Sequence, residues 1–400
     1  MKRRLLNLLS YALNCIRRYK VRTLVVIVCL AVAAGLFSSV SFIKDGLTME
    51  GQLSLKYAPD LTVQGISTGR QSLIETRYAE IIQTIPGVQT IEERIWGYGN
   101  VGNTLLVIVG LDLENPAVDQ SVPYPLESGS FLDPNHNGTV VIGKAVADLL
   151  GASVGDALTI LSESNQVQQY EIIGIFDSES SIYSADLVLM SKEDARAFFD
   201  VDENSVTDLL VYAKPVAPEY YLAQANYIAR EISELPKVRV LTKDVLLRAQ
   251  ETTYGARSGF FSVVWYTVLI SVALVAFNQT VVVGHESKFE VGLLKALGFS
   301  TSDVIQIRLV ESALLGIIAG SIGLASGIFY DTVLNAPVFR DFMLGWAVLY
   351  PNFVVPTYIS LQTVLLTYLI TTIPLLFATV IPSWINATVD PDIAMRGATA

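Results

Sequence analysis

The chain has 400 residues, of which 52% are hydrophobic and only 16% charged, against roughly 25% charged in ordinary soluble domains. Residues 45–257 carry 14 Lys and Arg against 30 Asp and Glu, whereas the remainder carries 13 against 8. This acidic balance excludes a nucleic-acid binder, which needs clustered Lys and Arg on its binding face. The composition predicts a membrane protein that is interrupted by one polar, acidic domain.

The first 43 residues predict a basic amphipathic helix followed by a membrane span. Seven Lys and Arg and no acid lie in residues 1–22, and an apolar stripe over residues 4–16 is typical of a helix in the inner-leaflet interface. Residues 21–43 contain one charge, Arg22, and are long enough to cross the bilayer. A cleavable signal peptide is the alternative, but its apolar stretch is about 7 to 15 residues long.

Three more apolar stretches predict spans at 258–283, 304–330 and 358–384. Lys and Arg accumulate on the cytoplasmic side of membrane proteins, so we expect the amino terminus in the cytoplasm. Four crossings then return the carboxyl terminus to the same side. The predicted cytoplasmic segments are 1–20, 284–303 and 385–400, and the predicted extracytoplasmic segments are 44–257 and 331–357.

The long segment 44–257 predicts a mixed α+β domain inserted between the first and second spans. Short runs rich in Val, Ile, Leu and Thr alternate there with helical patterns. Ser191 followed by Asp194 is a helix-start signal. The predicted helices are Ser72–Ile85, Lys144–Leu150, Lys192–Phe199 and Glu219–Leu235, and the predicted strands are Leu61–Gln64, Thr104–Gly110, Thr139–Ile142, Ala157–Leu161, Tyr170–Ile175, Leu187–Met190 and Val206–Tyr212.

Motifs for nucleotide, metal or covalent chemistry are missing from the sequence. The two cysteines, Cys15 and Cys29, and the two histidines, His136 and His285, have no zinc-ligand spacing. The phosphate loop Gly-x4-Gly-Lys-Ser/Thr and the nucleophile motif Gly-x-Ser-x-Gly do not occur. We therefore expect a non-enzymatic chain with no catalytic residue, no bound cofactor and no metal, which takes its energy from another chain.

The most specific motif follows the second predicted span. It runs from Glu286 through Phe289, Glu290, Gly292, Leu293 and Lys295 to Gly298, and it reads Glu-Ser-Lys-Phe-Glu-Val-Gly-Leu-Leu-Lys-Ala-Leu-Gly. A polar turn, Glu311 and a Gly-rich span come next. These residues closely resemble the signature of the FtsX-like (MacB-type) ABC transporter permeases, Glu-x-Gly-[IL]-Leu-[KR]-Ala-Leu-Gly.

Weaker elements extend this resemblance over essentially the whole chain. Lys20-x-Arg22-Thr-Leu24 is similar to the opening motif of the family, Ile85-Pro-Gly-Val88 to an element of its outer domain, and Pro382 to Arg396 to its closing motif. Asn386 and Thr388 depart from a tail that is usually richer in Arg and Ala. We expect no fused ATPase domain at the amino terminus, which some members carry.

The resemblance implies a permease subunit that works with two copies of an ABC ATPase, which holds ATP and Mg²⁺, and with a second permease copy or a paralogue. ATP-driven dimerisation of the ATPases would move the outer domain and drive export or extraction of a lipoprotein, lipid, peptide or antibiotic. Membrane lipids and a periplasmic adaptor or outer-membrane protein are the further partners that it suggests. The alternative is a non-transporting transducer that activates an extracytoplasmic cell-wall hydrolase or a sensor.

The motif also has a physical interpretation of its own. Residues 286–297 predict a short amphipathic helix with Phe289, Leu293 and Ala296 or Leu297 on one stripe, closed by Gly298 as its C-cap. Ser300 and Asp303 can cap the next helix. Such a helix can dock in a partner ATPase, which gives Glu286, Phe289, Glu290, Gly292, Leu293, Lys295 and Gly298 as candidate coupling residues; an interfacial reversal helix without a partner is the alternative.

Small residues on the third span predict close helix packing. Gly316, Gly320, Gly323 and Gly327 form small-xxx-small steps that let another backbone approach. We expect packing within the chain, with a seam between two copies as the alternative. Glu311 needs a partner in this apolar context, and Arg308, three residues earlier, is the nearest candidate.

Overall fold

The computed structural model describes residues 10–11, 13–113, 124–162, 167–177, 186–254, 259–344 and 354–388. The chain forms two compact units. The membrane unit comprises residues 1–47, 254–340 and 355–400, and the inserted unit comprises residues 48–253 and 341–354.

Ten helices are numbered in chain order over the described residues. They are α1 (Lys20–Ser54), α2 (Arg77–Gln83), α3 (Lys144–Leu150), α4 (Lys192–Phe199), α5 (Pro218–Ser233), α6 (Lys243–Tyr254), α7 (Gly259–Ala296), α8 (Thr301–Thr332), α9 (Pro337–Leu344) and α10 (Leu361–Thr388). Residues 10–11 and 13–18 are also helical and precede α1.

Thirteen strands lie in the described part of the inserted unit. They are β1 (Leu61–Ser67), β2 (Arg70–Ser72), β3 (Ile74–Glu75), β4 (Val88–Val101), β5 (Thr104–Leu111), β6 (Leu126–Gly129), β7 (Thr139–Gly143), β8 (Ala157–Ser162), β9 (Val167–Phe176), β10 (Leu187–Ser191), β11 (Ser205–Val206), β12 (Asp208–Ala213) and β13 (Val238–Thr242).

Among the described residues, four helices are long and apolar enough to cross a membrane: α1, α7, α8 and α10. These helices confirm the four predicted spans, and the strands and helices between α1 and α7 confirm the α+β domain predicted after the first span. Leu30, Phe37, Val272, Ala319 and Leu375 form part of the apolar core that they share. The membrane unit is therefore a helical bundle built from both ends of the chain.

The prediction of a separate short helix at residues 286–297 is wrong. Those residues continue α7, which runs without a break for 38 residues, or about 57 Å at 1.5 Å per residue. A bilayer core is only ~30 Å thick. Gly284 and Gly292 are interior glycines of this helix, and each costs a helix only about 1 kcal/mol, so the helix continues through both.

The main sheet of the inserted unit has the strand order β13-β1-β12-β4-β5-β10-β7-β9-β6. In its first lobe, β1-α2-β4 and β12-α5-β13 form two βαβ halves with the antiparallel order β13-β1-β12-β4. The second lobe, β5 to β10 with α3 and α4, is inserted between these halves. Both lobes together make the α+β domain.

Strand β4 joins the lobes, because its first half, Val88–Arg94, pairs with β12 and its second half, Ile95–Val101, pairs with β5. Local sequence patterns do not predict this strand. Its Glu-Glu-Arg run and its two glycines, Gly97 and Gly99, obscure the β pattern. Position 97 has no room for a side chain, because a Cβ at Gly97 would lie 2.6 Å from the Phe199 ring.

The predicted helices of this unit are confirmed with one exception. Lys144–Leu150 and Lys192–Phe199 have the predicted bounds, and the Ser191 side chain accepts the N–H of Asp194 at 3.0 Å as a helix cap. The predicted helix Ser72–Ile85 is wrong at its start, because residues 72–75 join strands and only Arg77–Gln83 is helical. Pairing with β1 and β11 decides that segment, and such pairing is invisible to local periodicity.

Candidate functional site

The hairpin between α7 and α8 is closed by two caps. Gly298 has φ +93°, its N–H donates to the Lys295 carbonyl at 2.9 Å, and the Phe299 N–H donates to the Leu294 carbonyl at 3.1 Å. This is the Schellman pattern, in which a left-handed glycine ends a helix. The predicted C-cap at Gly298 is confirmed.

The start of α8 has a complete capping box. The Ser300 hydroxyl accepts the Asp303 N–H at 3.2 Å, and the Asp303 carboxylate accepts the Ser300 N–H at 3.1 Å. This confirms the predicted cap. Only residues 297–300 separate the two helices, so the caps hold the turn in one tight conformation.

The apolar residues of this hairpin divide into an inner and an outer set. Val291 and Leu294 are buried and form a cluster with Val304, against which Tyr11 and Ile305 pack. The outer set is exposed: Leu293 by 48%, Leu297 by 69% and Phe299 by 39%. We call Leu293, Leu297 and Phe299 the outer apolar patch. The hairpin is thus supported from one side and exposes apolar surface on the other.

The candidate coupling residues all lie on this hairpin. Gly292 is buried, Lys295 is half-buried and Gly298 is exposed at the turn. Glu286, Phe289 and Glu290 are helical residues of α7, and their side chains lie outside the described part of the structure. Sequence reasoning missed Phe299 as an outer residue and the pair Val291 and Leu294 as the inner one. The i, i+3 spacing of that pair was the available signal.

A buried ion pair lies on α8 near the hairpin. The Arg308 guanidinium donates to the Glu311 carboxylate at 2.8 Å, and both side chains are 9% exposed. The predicted partner of Glu311 is therefore confirmed. Each charge neutralises the other, as an apolar surrounding requires.

The glycines of α8 contact two different helices of the same chain. A Cβ at Gly316 would lie 2.8 Å from the Thr372 Cα, and one at Gly320 would lie 3.0 Å from the Tyr368 ring, both on α10. A Cβ at Gly323 would lie 2.4 Å from the Ala34 Cβ on α1. Between Gly320 and Gly323 the neighbour of α8 thus changes from α10 to α1.

The seam between α8 and α1 continues with Gly327, where a Cβ would lie 2.4 Å from the Ser38 hydroxyl. One turn later the Ser39 hydroxyl donates to the buried Asp331 carboxylate at 2.5 Å. All four glycines of the α8 stripe are buried against helices of their own chain. Close backbone approach inside the bundle is their geometric role.

Polar side chains also tie α1 to the two remaining spans. The Asp45 carboxylate accepts the hydroxyls of Ser360 at 2.6 Å and Thr363 at 2.8 Å, at the start of α10. The Trp265 indole of α7 donates to the Ser41 hydroxyl at 3.2 Å. Helix α1 is therefore bonded to α7, α8 and α10.

The acids and histidines of the described residues do not assemble into a metal centre: those residues contain no group of three or more His, Cys, Asp and Glu that could hold an ion. The features with chemical meaning are the outer apolar patch, the buried ion pair and the tightly packed bundle. A multi-pass helical bundle with an α+β unit inserted after the first span, and a capped hairpin between the second and third, is the architecture that the resemblance to ABC transporter permeases implies.

Comparison with known families agrees with this class and gives the family. The MacB-like periplasmic core domain matches residues 23–226, and the FtsX-like permease C-terminal domain matches residues 262–387. The chain belongs to the family of FtsX-like, MacB-type ABC transporter permeases, and is thus a multi-pass protein of the inner membrane. Membership in this family implies an ATPase partner and dimerisation.

Known relatives are distant in sequence. An uncharacterised ABC transporter permease of Methanocaldococcus jannaschii is 22% identical over 355 residues, which are 82% of this chain and 85% of that protein. The lipoprotein-releasing system transmembrane protein LolC of Neisseria meningitidis is 23% identical over 227 residues, 52% of this chain and 51% of LolC. Among solved structures, the periplasmic region of MacB from Actinobacillus actinomycetemcomitans matches 48% of this chain and 92% of its own, at 13% identity and a TM-score of 0.33.

Proposed function

We propose that this chain couples ATP hydrolysis by a separate ATPase subunit to movement of its extracytoplasmic domain, and that this movement drives export or extraction of a substrate. The ATPase holds ATP and Mg²⁺, and two ATPase copies act on two permease chains, identical or paralogous. Transport by such mechanotransmission needs no substrate path through the bilayer.

The outer apolar patch is the observation that carries this proposal. Leu293, Leu297 and Phe299 stay exposed although the hairpin buries Val291 and Leu294 only one turn away. Full burial of one such side chain contributes about 1.5–3 kcal/mol. A groove of the ATPase that covers the patch would therefore gain several kcal/mol, and the capped turn keeps the patch preformed.

The continuity of α7 supports transmission. The residues that carry Leu293 belong to the same helix as the apolar stretch Phe261–Asn278 that is fit to cross the membrane. An unbroken helix resists bending better than two helices joined by a turn. A displacement at the hairpin would therefore move the membrane-crossing part of α7 with it.

The proposed substrate class is a lipoprotein, lipid, peptide or antibiotic. Similarity to LolC, named as part of a lipoprotein-releasing system, supports lipoproteins as the first to test. Reconstituted vesicles that contain the permease, its ATPase and a labelled lipoprotein should release the lipoprotein only with ATP. The transducer alternative predicts the opposite pattern: ATP turnover activates an extracytoplasmic hydrolase and releases no cargo. An adaptor or outer-membrane partner would show as a rise in release when it is added.

The coupling assignment is tested by truncating the patch. Leu293→Ala with Leu297→Ala should reduce co-purification of the ATPase about 10-fold or more, if the double change removes about 1.5–3 kcal/mol of buried contact. Phe289→Ala tests the other large apolar residue of the predicted coupling stripe. Val338→Ala is the matched control, since Val338 is 71% exposed on α9. Wild-type binding and activity of the double variant would favour the reversal-helix alternative.

The proposed orientation places both termini and the α7–α8 hairpin in the cytoplasm and the inserted unit outside. Single cysteines, in a chain whose Cys15 and Cys29 are replaced by Ser, report it through a thiol reagent that does not cross membranes. Ser233→Cys should react in intact cells, because Ser233 is exposed on α5. Ser287→Cys should react only after the membrane is opened, and reaction of Ser287→Cys from outside would contradict the orientation.

A further inference from the structure

The chain enters the first lobe just before β1 and leaves it just after β13. These two crossing points lie side by side. Asp60 directly precedes β1, and Lys243 directly follows β13. These strands pair antiparallel, with Leu61 opposite Thr242. The segment after α1 and the start of α6 are therefore neighbours within the inserted unit.

Lys243 bonds to the segment that follows α1. Its backbone N–H donates to the Asp60 carbonyl at 2.9 Å, and its ammonium donates to the carbonyls of Lys56 at 3.1 Å and Ala58 at 3.3 Å. Both carbonyls lie beyond Ser54, the last residue of α1, in a segment without regular structure, and the ammonium supplies them with a hydrogen-bond donor. Burial lowers the pKa of the half-buried Lys243, and the charge of Asp60 opposes that shift.

Asp60 extends this connection into the lobe. One carboxylate oxygen accepts the Ala213 N–H at the end of β12 at 2.8 Å, and the other accepts the Tyr221 hydroxyl of α5 at 2.8 Å. Burial and this hydrogen bond raise the pKa of Tyr221 well above its ordinary value, so the hydroxyl remains a donor. We call Lys56, Ala58, Asp60, Ala213, Tyr221 and Lys243 the crossing clasp.

The clasp matters because the segment between α1 and β1 is not helical. Residues 55–60 form turns and bends, whose backbone bonds could rotate and absorb a displacement. Five hydrogen bonds instead fix this segment to α5, α6 and the end of β12. Each joins parts of the inserted unit that lie more than 150 residues apart in sequence.

We propose that the crossing clasp joins both crossings of the inserted unit into one rigid joint, and that Lys243 and Asp60 are positioning residues for the ATP-driven movement. This inference rests on the proposed function, which supplies the movement. A displacement of either crossing then moves the first lobe as a body. Without the clasp, residues 55–60 take up the displacement, and ATP is hydrolysed with little movement of the lobe.

The test uses the full chain, reconstituted with its ATPase and free of native cysteines, with spin labels at Val263→Cys and Ser233→Cys. Both positions are exposed, the first on α7 and the second on α5. The distance distribution is measured with ADP and with ATP plus vanadate, beside the ATPase rate. In Lys243→Met we expect the fraction of molecules at the shifted distance to fall about ten-fold or more, because the change removes both hydrogen bonds of a charged donor, at an unchanged ATPase rate.

Three further variants separate coupling from folding. Lys243→Arg retains a charged donor and should restore most of the shift. Lys144→Met is the control, because Lys144 pairs with Glu127 at an exposed site away from the clasp, and it should behave as the parent. If Lys243→Met fails to assemble, Tyr221→Phe carries the test, since it removes a single hydroxyl and should reduce the shift by a smaller factor.

The outcomes distinguish the clasp from the function on which it rests. A full shift in Lys243→Met or, where that variant fails, in Tyr221→Phe would overturn the clasp and leave the proposed function intact. No ATP-driven shift in the parent chain would overturn the proposed function, and with it any coupling role of the clasp. A fall in ATPase rate parallel to the fall in shift would identify Lys243 as merely structural and so overturn its positioning role.

Discussion

The membrane unit and the inserted unit hold their helices and strands together by different means. In the membrane unit, small residues bring helix backbones together: Gly323 lies where a Cβ would be 2.4 Å from the Ala34 Cβ. In the inserted unit, large apolar side chains such as Phe198, Ile142 and Leu61 fill the space between sheet and helices. The first unit minimises the distance between elements, and the second maximises buried apolar area.

The solvent explains this difference. Burying Leu or Phe from water is favourable, but inside a bilayer the lipid tails are as apolar as the protein interior. Helices in a membrane therefore associate through close packing and interhelical hydrogen bonds, and buried hydroxyls such as Thr371 and Ser312 lie between α8 and α10.

Both units nevertheless bury an Arg–carboxylate pair. In the inserted unit, Asp208 is fully buried and accepts hydrogen bonds from Gln64, Gln71, Arg94 and Trp96. In the membrane unit, Glu311 has Arg308 as its charged partner on the same helix. The hydrogen bonds of Asp208 connect four strands, β1, β2, β4 and β12, whereas the Arg308–Glu311 pair lies within α8. Losing Asp208 should therefore disrupt more of the fold.

The largest expected effect is that of Asp208→Ala. It removes four accepted hydrogen bonds and leaves Arg94 without its carboxylate, which should cost about 3–5 kcal/mol, the usual result of breaking a buried ion pair from one side. Thermal unfolding of the full chain in detergent measures this as a lower Tm. Asp133→Ala, at a side chain 49% exposed, is the control, and equal Tm values for both variants would refute the assignment.

The seam between α8 and α1 is the next most sensitive feature. Gly323→Leu forces α1 and α8 apart and should cost about 1–3 kcal/mol or more, as overpacking does. Gly259→Leu serves as the control, because nothing lies within 4 Å of a Cβ built at Gly259. The yield of folded, monodisperse protein and its Tm report the outcome; a Gly323→Leu chain as stable as Gly259→Leu would show that the helices are not tightly packed there.

Matched hydroxyl deletions compare hydrogen bonds in the two units. Ser312→Ala removes the bond to the Thr379 hydroxyl, and Tyr212→Phe removes the bond to the Glu92 carboxylate. The membrane variant should lose about 0.6 kcal/mol, the average for interhelical hydrogen bonds, and the inserted-unit variant about 1.5–3 kcal/mol, because its acceptor is charged. Chemical unfolding of each variant beside the parent chain measures both losses. The reverse order would contradict the comparison.

A small effect at neutral pH is expected for Tyr170→Phe, which removes a hydroxyl that donates to the Gln168 side chain at 2.5 Å. Burial, followed by the charge of Asp194, raises the pKa of Tyr170 to about 12. The neutral hydroxyl is thus favoured in the folded state, so its stabilisation is complete below the ordinary tyrosine pKa of about 10 and is lost as the pH rises toward 12.

Tyr170→Phe should accordingly make the loss of stability between pH 10 and 12 less steep, and at pH 8 it should cost only the hydrogen bond to Gln168, about 0.5–1.5 kcal/mol. Unfolding midpoints across that range measure it. Tyr220→Phe is the control, because Tyr220 is 63% exposed and its removal should leave the slope as it was. Identical slopes for Tyr170→Phe and the parent would show that the Tyr170 hydroxyl is not protected by burial.

Local features were open to prediction from the sequence. Long apolar runs revealed the four spans, because length and composition decide whether a helix can cross a bilayer. The cap at Gly298, the capping box of Ser300 and Asp303, and the pairing of Arg308 with Glu311 were all expected, since each joins residues no more than five apart in sequence. Helices α3 and α4, whose predicted bounds match the structure, are local features of the same kind.

Contacts between distant segments were decided by the tertiary structure. The sequence showed that Gly316 to Gly327 pack closely, but the change of neighbour from α10 to α1 depends on which helices the fold places beside α8. The pairing of the first half of β4 with β12 and the network around Asp208 likewise depend on partners more than 100 residues away. Such contacts form by closing long loops, and periodicity within one segment carries no record of the partner that the closed loop supplies.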